Sequence, residues 1–113
     1  MTAYNISRQT LIAKQVRFAD SPWARMKGLL GRDSLNSDEG LLITCCNSIH
    51  MFFMRFSIDA IFLDRNNSVV GLVCAIPPFS LSPVFWNASK VLELSSGTIK
   101  LSGTELNDKI EIS

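Results

Sequence analysis

The feature that most constrains this chain is an almost uninterrupted apolar run from Ile49 to Leu63, rich in aromatic and β-branched side chains. A half-exposed strand alternates apolar and polar residues, whereas here apolar residues occupy both odd and even positions. Such a strand needs cover on both of its faces. The run therefore predicts a doubly covered sheet, with a break near Phe56 and Ser57.

The clearest single element is a β-hairpin from Ile58 to Ile76. Its two apolar segments are separated by the turn-forming residues Asp64 to Ser68. Other segments with strand character are predicted to complete the sheet. These are Tyr4 to Ser7, Leu11 to Phe18, Leu41 to Thr44, Lys90 to Leu94 and Lys109 to Ile112.

One helix is predicted, near residues 22–30. Asp20 and Ser21 precede Pro22, and an oxygen-bearing cap before proline is a typical helix start. Trp23 and Met26 then fall on one face of the helix. The fold class is therefore α+β and mostly β: a small closed or partly open antiparallel β-barrel-like sheet with one short helix.

The length of 113 residues fits a single domain, 1–113, that needs no disulfide or metal for stability. Lys and Arg number 11 against 10 Asp and Glu, without a basic cluster, which argues against binding to nucleic acid. No apolar run approaches the roughly 20 residues of a membrane span. Without an export signal, and with three cysteines, the chain is expected to be a cytoplasmic monomer.

Arg55 and Asp59 are charged residues inside the most apolar segment, so each needs a partner. The favoured interpretation is structural: an internal ion pair, or a carboxylate that accepts backbone N–H groups. The functional alternative places His50, Arg55 and Asp59 at the rim of a pocket floored by Phe53 and Met54.

A second candidate surface is the proline loop, residues 77–86. Pro77, Pro78 and Pro83 disfavour a strand there, because proline lacks an N–H donor. If the aromatic side chains of this loop are exposed, they mark a contact surface. Those side chains are Phe79, Phe85 and Trp86.

Two chemical alternatives remain open. A cysteine enzyme would use Cys45 or Cys46 as nucleophile, His50 as base and Asp59 to orient it, although no nucleophile elbow or oxyanion hole is recognisable.

A zinc site would need Cys45, Cys46, His50 and Cys74 together. In a strand, however, Cys45 and Cys46 point to opposite faces unless a turn intervenes. Copper bound by His50, Met51 and Met54 is less favoured than core packing, and no cofactor is expected.

Several motifs resemble the family called domain of unknown function 192. The resemblance rests on Arg25-Met-Lys-Gly28-Leu-Leu-Gly31-Arg32, Gly40-Leu41-Leu42, Cys46 to Asp64, and Val91-Leu92-Glu93-Leu94 with Gly97. It departs at Ser57, where the family usually has proline, and at Asn107, where it usually has glycine. The resemblance implies a compact, β-rich prokaryotic protein with one short helix, and no established activity.

The leading hypothesis is a non-enzymatic module that binds a small ligand, a peptide or another protein. Its binding residues would be those of the polar cluster or those of the proline loop. The candidates in the cluster are Cys46, His50, Met54, Arg55 and Asp59.

Overall fold

The computed structural model describes residues 1–20, 32–51 and 54–113. These ranges contain strands and one short helix, which confirms the mostly β class. In chain order the elements are β1 (Ala3–Asn5), β2 (Thr10–Ala13), β3 (Gln15–Ala19), β4 (Glu39–Thr44), β5 (Ile58–Leu63), β6 (Val69–Ile76), β7 (Lys90–Ser95), α1 (Thr98–Ser102) and β8 (Ile110–Ile112). The helix predicted near residues 22–30 lies outside the described residues.

The larger sheet has five strands in the order β3-β4-β7-β5-β6. Only β3 and β4 run parallel, and the other neighbours are antiparallel. The predicted hairpin is confirmed as β5 and β6. All six residues of β5 are buried, as expected for a strand covered on both faces.

The smaller sheet has three antiparallel strands in the order β2-β1-β8 and covers one face of the larger sheet. The core between them also receives Ile99 from α1. Its buried side chains come from both sheets: Ala3, Ile12, Ala13, Val16, Leu42, Ile61, Leu63, Val69, Leu92, Leu94 and Ile110.

The opposite face of the larger sheet is covered by connections between strands. Leu35, Ile49, Met51 and Met54 come from these connections and pack with strand residues of β3 to β7. Ile58, Ala60 and Phe62 of β5 belong to this second core, whereas Ile61 and Leu63 belong to the first. Successive side chains of β5 therefore point alternately into the two cores, which agrees with the double cover predicted from the sequence.

Two details differ from the sequence-based expectation. The described residues form two separate sheets, and these do not close into a barrel. The segment before Ser57 is irregular where the structure describes it, and His50 pairs with Leu81 in an isolated β-bridge outside the strands. Its backbone groups bond to the proline loop instead of to a long strand, so apolar composition alone did not identify a strand there.

A buried polar network fixes the corner between the smaller sheet and the chain before β8. The Asp108 carboxylate accepts hydrogen bonds from Asn5 Nδ2 at 3.0 Å, from Arg8 Nε at 3.0 Å and from the Glu105 N–H at 2.9 Å. The preceding Asn107 has a φ of 73°, a left-handed conformation that asparagine tolerates better than most residues. Asparagine therefore suits this turn, where the family resemblance implied glycine.

This network predicts a specific acid sensitivity. Burial alone would raise the pKa of Asp108, but the hydrogen bonds from Arg8, Asn5 and Glu105 outweigh it and lower the pKa below its usual value. A lowered folded-state pKa gives stability that is present above the unfolded-state pKa of about 3.9 and is lost as the pH falls through the folded-state pKa. We expect Asp108→Asn to be less stable at neutral pH and to lose less stability than the wild type on acidification.

Urea unfolding between about pH 6 and about pH 3 measures this difference in slope. Glu111→Gln is the matched control, because Glu111 is an exposed carboxylate on the same sheet. An Asp108→Asn protein with the same loss of stability on acidification as the wild type would show that Asp108 does not contribute to the acid sensitivity.

Candidate functional site

Asp59 lies on β5 and is only 1% exposed. Its Oδ1 atom accepts a hydrogen bond from the Ala75 N–H at 2.8 Å. Its Oδ2 atom accepts from the N–H groups of Gly97 at 3.1 Å and Ile99 at 2.9 Å. This is the structural alternative that the sequence favoured, a buried carboxylate held by backbone donors.

These three hydrogen bonds join β5, the end of β6 and the start of α1. Ala75 has a φ of 52° and Gly97 a φ of 97°, so both donors lie where the backbone leaves regular geometry. Gly97 is the N-cap of α1 and has no side chain to cap it. Asp59 provides the missing acceptor from a distant strand, which satisfies N–H groups that a helix start leaves open.

Arg55 is exposed, and its Nη1 lies 3.5 Å from Oδ1 of Asp33, which is also exposed. The prediction that Arg55 is an embedded charge is therefore wrong. The irregular backbone of this segment turns Arg55 outward while the neighbouring Met54 is buried in the core. An ion pair between exposed side chains contributes little to stability.

The other members of the polar cluster do not share an opening with Asp59. Met54 is buried, and Cys46 packs against the same core, on the face of the sheet covered by connections. Asp59 alternates with Ile58 and Ala60 and bonds to α1 on the opposite face. The predicted rim of His50, Arg55 and Asp59 therefore does not fit these positions, and Phe53 lies outside the described residues.

The arrangement also argues against the cysteine enzyme. The Cys46 thiol donates a hydrogen bond to the Ser48 carbonyl at 2.9 Å. Asp59 lies across the sheet from Cys46, and its oxygens already accept backbone donors. Burial, and then the charge of Asp59, raise the pKa of the Cys74 thiol, which lowers the thiolate fraction there.

The described ranges contain no group of three or more His, Cys, Asp or Glu side chains placed to hold a metal ion. A four-ligand zinc site from Cys45, Cys46, His50 and Cys74 is thus not formed among them. Met51 and Met54 are buried in the core below the connections, where they pack as apolar side chains.

Glu93 is a buried charge that sequence analysis missed. It lies in the middle of β7, is fully buried, and is engaged in an interaction. In register it stands opposite Leu41 of β4 and Ala60 of β5, both of the core covered by connections. A single acidic residue between Leu92 and Leu94 was the available sequence signal.

The proline loop has a fixed backbone despite its irregular shape. Met51 donates its N–H to the Ser80 carbonyl at 2.8 Å, and Phe79 donates to the Met51 carbonyl at 2.7 Å. Further along, the Ser82 N–H donates to the Ile49 carbonyl and the Phe85 N–H donates to the Asn47 carbonyl, each at 2.9 Å. The loop is therefore one side of a hydrogen-bonded ribbon whose other side is residues 47–51.

Large apolar side chains project from this ribbon into solvent. Phe79 is 65% exposed, Leu81 67%, Val84 45% and Trp86 84%. From Val69 to Ser89 the sequence contains no Asp, Glu, Lys, Arg or His. We call these four exposed side chains the loop surface, since large apolar side chains concentrated in one exposed segment are of the kind that marks an interaction site.

Phe85 differs from its exposed neighbours because it anchors the loop. Its ring centroid lies 4.4 Å from that of Phe62, at an interplanar angle of 37°. The ring also occupies the space above Gly71, where an added Cβ would lie 2.5 Å from it. The condition set by the sequence, exposed aromatic side chains, is met by Phe79 and Trp86 but not by Phe85, because its ring fills this position over β6.

A small pocket opens between the loop and β6. It is lined by Val70, Val84, Phe85, Trp86 and Asn87 and has a volume of about 260 Å³. Its lining is apolar apart from Asn87. The pocket can receive an apolar side chain, while the surrounding loop surface covers the rest of a ligand.

These features define a small two-sheet β domain with a hydrogen-bonded loop that exposes large apolar side chains. The chain belongs to the DUF192 family, whose model, described as an uncharacterized ACR, matches residues 4–112. It is 36% identical to a UPF0127 protein of Thermococcus sibiricus over 86% of this chain and 65% of that protein. A UPF0127 protein of Pyrococcus furiosus is 32% identical over 95% of this chain and 94% of its own length.

Two solved structures share the fold. A protein of unknown function from Novosphingobium aromaticivorans superposes with a TM-score of 0.81 at 22% identity, covering 98% of this chain and 82% of that one. A Sinorhizobium meliloti protein, provisionally assigned as a transcription regulator, superposes with a TM-score of 0.76 at 24% identity. That match covers 85% of this chain and 79% of the other. At these identities the likeness establishes the fold alone.

Within the described ranges, no helix combines the length and the apolar character that crossing a membrane requires.

The role of Asp59 leads to a stability prediction. Asp59→Asn keeps the size of the side chain but places an NH₂ group against backbone donors, so at least one of them loses its acceptor. We expect the free energy of unfolding to fall by about 2 to 4 kcal/mol, measured by urea denaturation.

Asp64→Asn is the matched control. The N–H groups of Asn66 and Ser68 both bond to Oδ1 of Asp64, an oxygen that asparagine retains. The control should stay within about 0.5 kcal/mol of the wild type. If Asp59→Asn is as stable as Asp64→Asn, the carboxylate is not the cross-link described above.

Proposed function

We propose that this protein is a non-enzymatic binding module whose loop surface docks an uncharged, apolar peptide segment of a partner protein. One observation carries the proposal: Phe79, Leu81, Val84 and Trp86 are exposed together on a backbone that is hydrogen bonded along its length. Packing does not require large side chains in solvent, and their concentration in one loop favours a contact surface.

The hydrogen-bonded backbone of the loop favours a role in binding. Ordering a mobile segment on association costs free energy that the contacts must first offset. Here the ribbon with residues 47–51 and the Phe85 anchor hold the loop before any partner arrives. Aromatic residues such as Trp86 are also the side chains most often found at binding hot spots.

The chemistry of the surface selects the partner. A charged segment would lose hydration on the loop surface without gaining an opposite charge, because Val69 to Ser89 contains none. Phosphate groups would face the same penalty, so a nucleic acid is not the proposed partner. An extended peptide can place one apolar side chain in the pocket beside Trp86 and others along Phe79 and Leu81.

We also propose that the protein acts in the cytoplasm. Cys45, Cys46 and Cys74 take part in no disulfide in the structure, and Cys45 and Cys74 are exposed. Exposed thiols persist in a reducing compartment, whereas export would favour their oxidation.

Selection from a phage-displayed library of random linear peptides tests the docking proposal directly. We expect enriched peptides to be apolar and uncharged, and their affinity to be measurable by fluorescence anisotropy with a synthetic labelled peptide. Trp86→Ala and Leu81→Ser should each weaken binding about 10-fold to 100-fold. Both side chains are exposed, so neither substitution should alter the thermal unfolding midpoint greatly.

Leu101→Ser is the matched control, because Leu101 is 86% exposed on α1, away from the loop. Its peptide affinity should equal that of the wild type. Three results would contradict the proposal: unchanged affinity in both loop variants, enrichment of charged peptides, or binding to neutral phosphatidylcholine vesicles with no peptide selected. Self-association abolished by Trp86→Ala would assign the surface to a second copy of the chain instead.

A further inference from the structure

Cys45 and Cys46 share one opening, although adjacent residues of a strand point to opposite faces. β4 ends at Thr44, and Cys45 has a φ of 54°, a left-handed conformation that breaks the alternation. Both cysteines line a pocket of about 290 Å³ together with Asn47, Ala88 and Ser89. Two adjacent cysteines can share a ligand only if a turn separates them from the regular strand, and the conformation of Cys45 provides that turn.

The two thiols differ in accessibility but are compatible with one ligand. Cys45 is exposed, and Cys46 is half-buried. The Cys46 backbone is fixed by a hydrogen bond from its N–H to the Ser89 carbonyl at 3.2 Å. No charged side chain lines the pocket among the described residues, so a soft ligand that prefers sulfur to charge fits it better than a hard ion.

We propose that Cys45 and Cys46 form a two-thiolate site for a soft monovalent d¹⁰ cation of the Cu(I) class. Zinc ordinarily takes four ligands, and no cluster of three or more candidate ligands exists in the described part of the chain. Cu(I) favours thiolate sulfur and is satisfied by two such ligands. The pocket borders the ribbon, because Asn47 lines it and also accepts the Phe85 N–H, but the two proposed ligands are not residues of the loop surface.

Binding replaces two S–H bonds by two S–metal bonds and releases two protons, so the bound complex carries one negative charge. No electron is transferred, because the metal enters and remains as Cu(I). The hydrogen bond from Cys46 to the Ser48 carbonyl is lost in the process, since its proton leaves. Proton release makes the site bind more tightly as the pH rises.

An anaerobic titration with Cu(I), buffered by the chromophoric chelator bicinchoninate, tests the site in the full-length protein. We expect one Cu(I) to be withdrawn from the chelator per chain. Cys45→Ser and Cys46→Ser should each abolish this withdrawal, and Cys74→Ser should retain it, because Cys74 does not line the pocket. Zn(II) at the same concentration should not compete.

Protection from alkylation tests the same site without any substitution that could impair folding. The wild-type protein is treated with N-ethylmaleimide with and without Cu(I), and the labelled cysteines are identified by mass spectrometry. Cu(I) should protect Cys45 and Cys46 together and leave Cys74 reactive. Withdrawal of Cu(I) by Cys45→Ser, loss of it in Cys74→Ser, or equal labelling of Cys45 with and without Cu(I) would each overturn the proposal.

Discussion

The buried carboxylate of Asp59 is the interaction on which the arrangement of elements depends. It takes hydrogen bonds from Ala75, Gly97 and Ile99, and so ties the hairpin to the helix start. A buried charge is tolerated only when donors surround it, and here the donors come from two backbone irregularities. The buried carboxylate inside the apolar segment therefore has a structural role in holding these elements together.

Much of the fold follows from local sequence patterns. The hairpin was predictable because two apolar, β-rich segments flank Asp64 to Ser68, and the double cover of β5 followed from apolar residues on both parities. The helix α1 was not, because it is only five residues long and its acceptor comes from Asp59, far away in sequence. Long-range capping leaves no periodic pattern for the sequence to show.

The candidate site, like the fold, could be predicted from the sequence only in part. Composition identified the proline loop as an aromatic segment, but only three-dimensional packing separates Phe85, held over Gly71, from the exposed Phe79 and Trp86. The nearness in sequence of His50, Arg55 and Asp59 suggested one pocket, yet an irregular segment turns Arg55 outward and the sheet separates Asp59 from Cys46. Residues that are close in sequence were therefore wrongly expected to share one pocket, because the sequence pattern did not determine the direction of the backbone between them.

Buried polar groups such as Asp59 thus hold the elements together, while large apolar side chains are exposed on the loop. The central claim is that the loop backbone is rigid while its side chains are exposed, and amide hydrogen exchange followed by NMR tests this most directly. The N–H groups of Phe79, Ser82 and Phe85 should exchange as slowly as those of β5 and β7, because each donates to the facing residues 47–51. Exchange of these three amides as fast as that of a solvent-exposed turn would contradict the account.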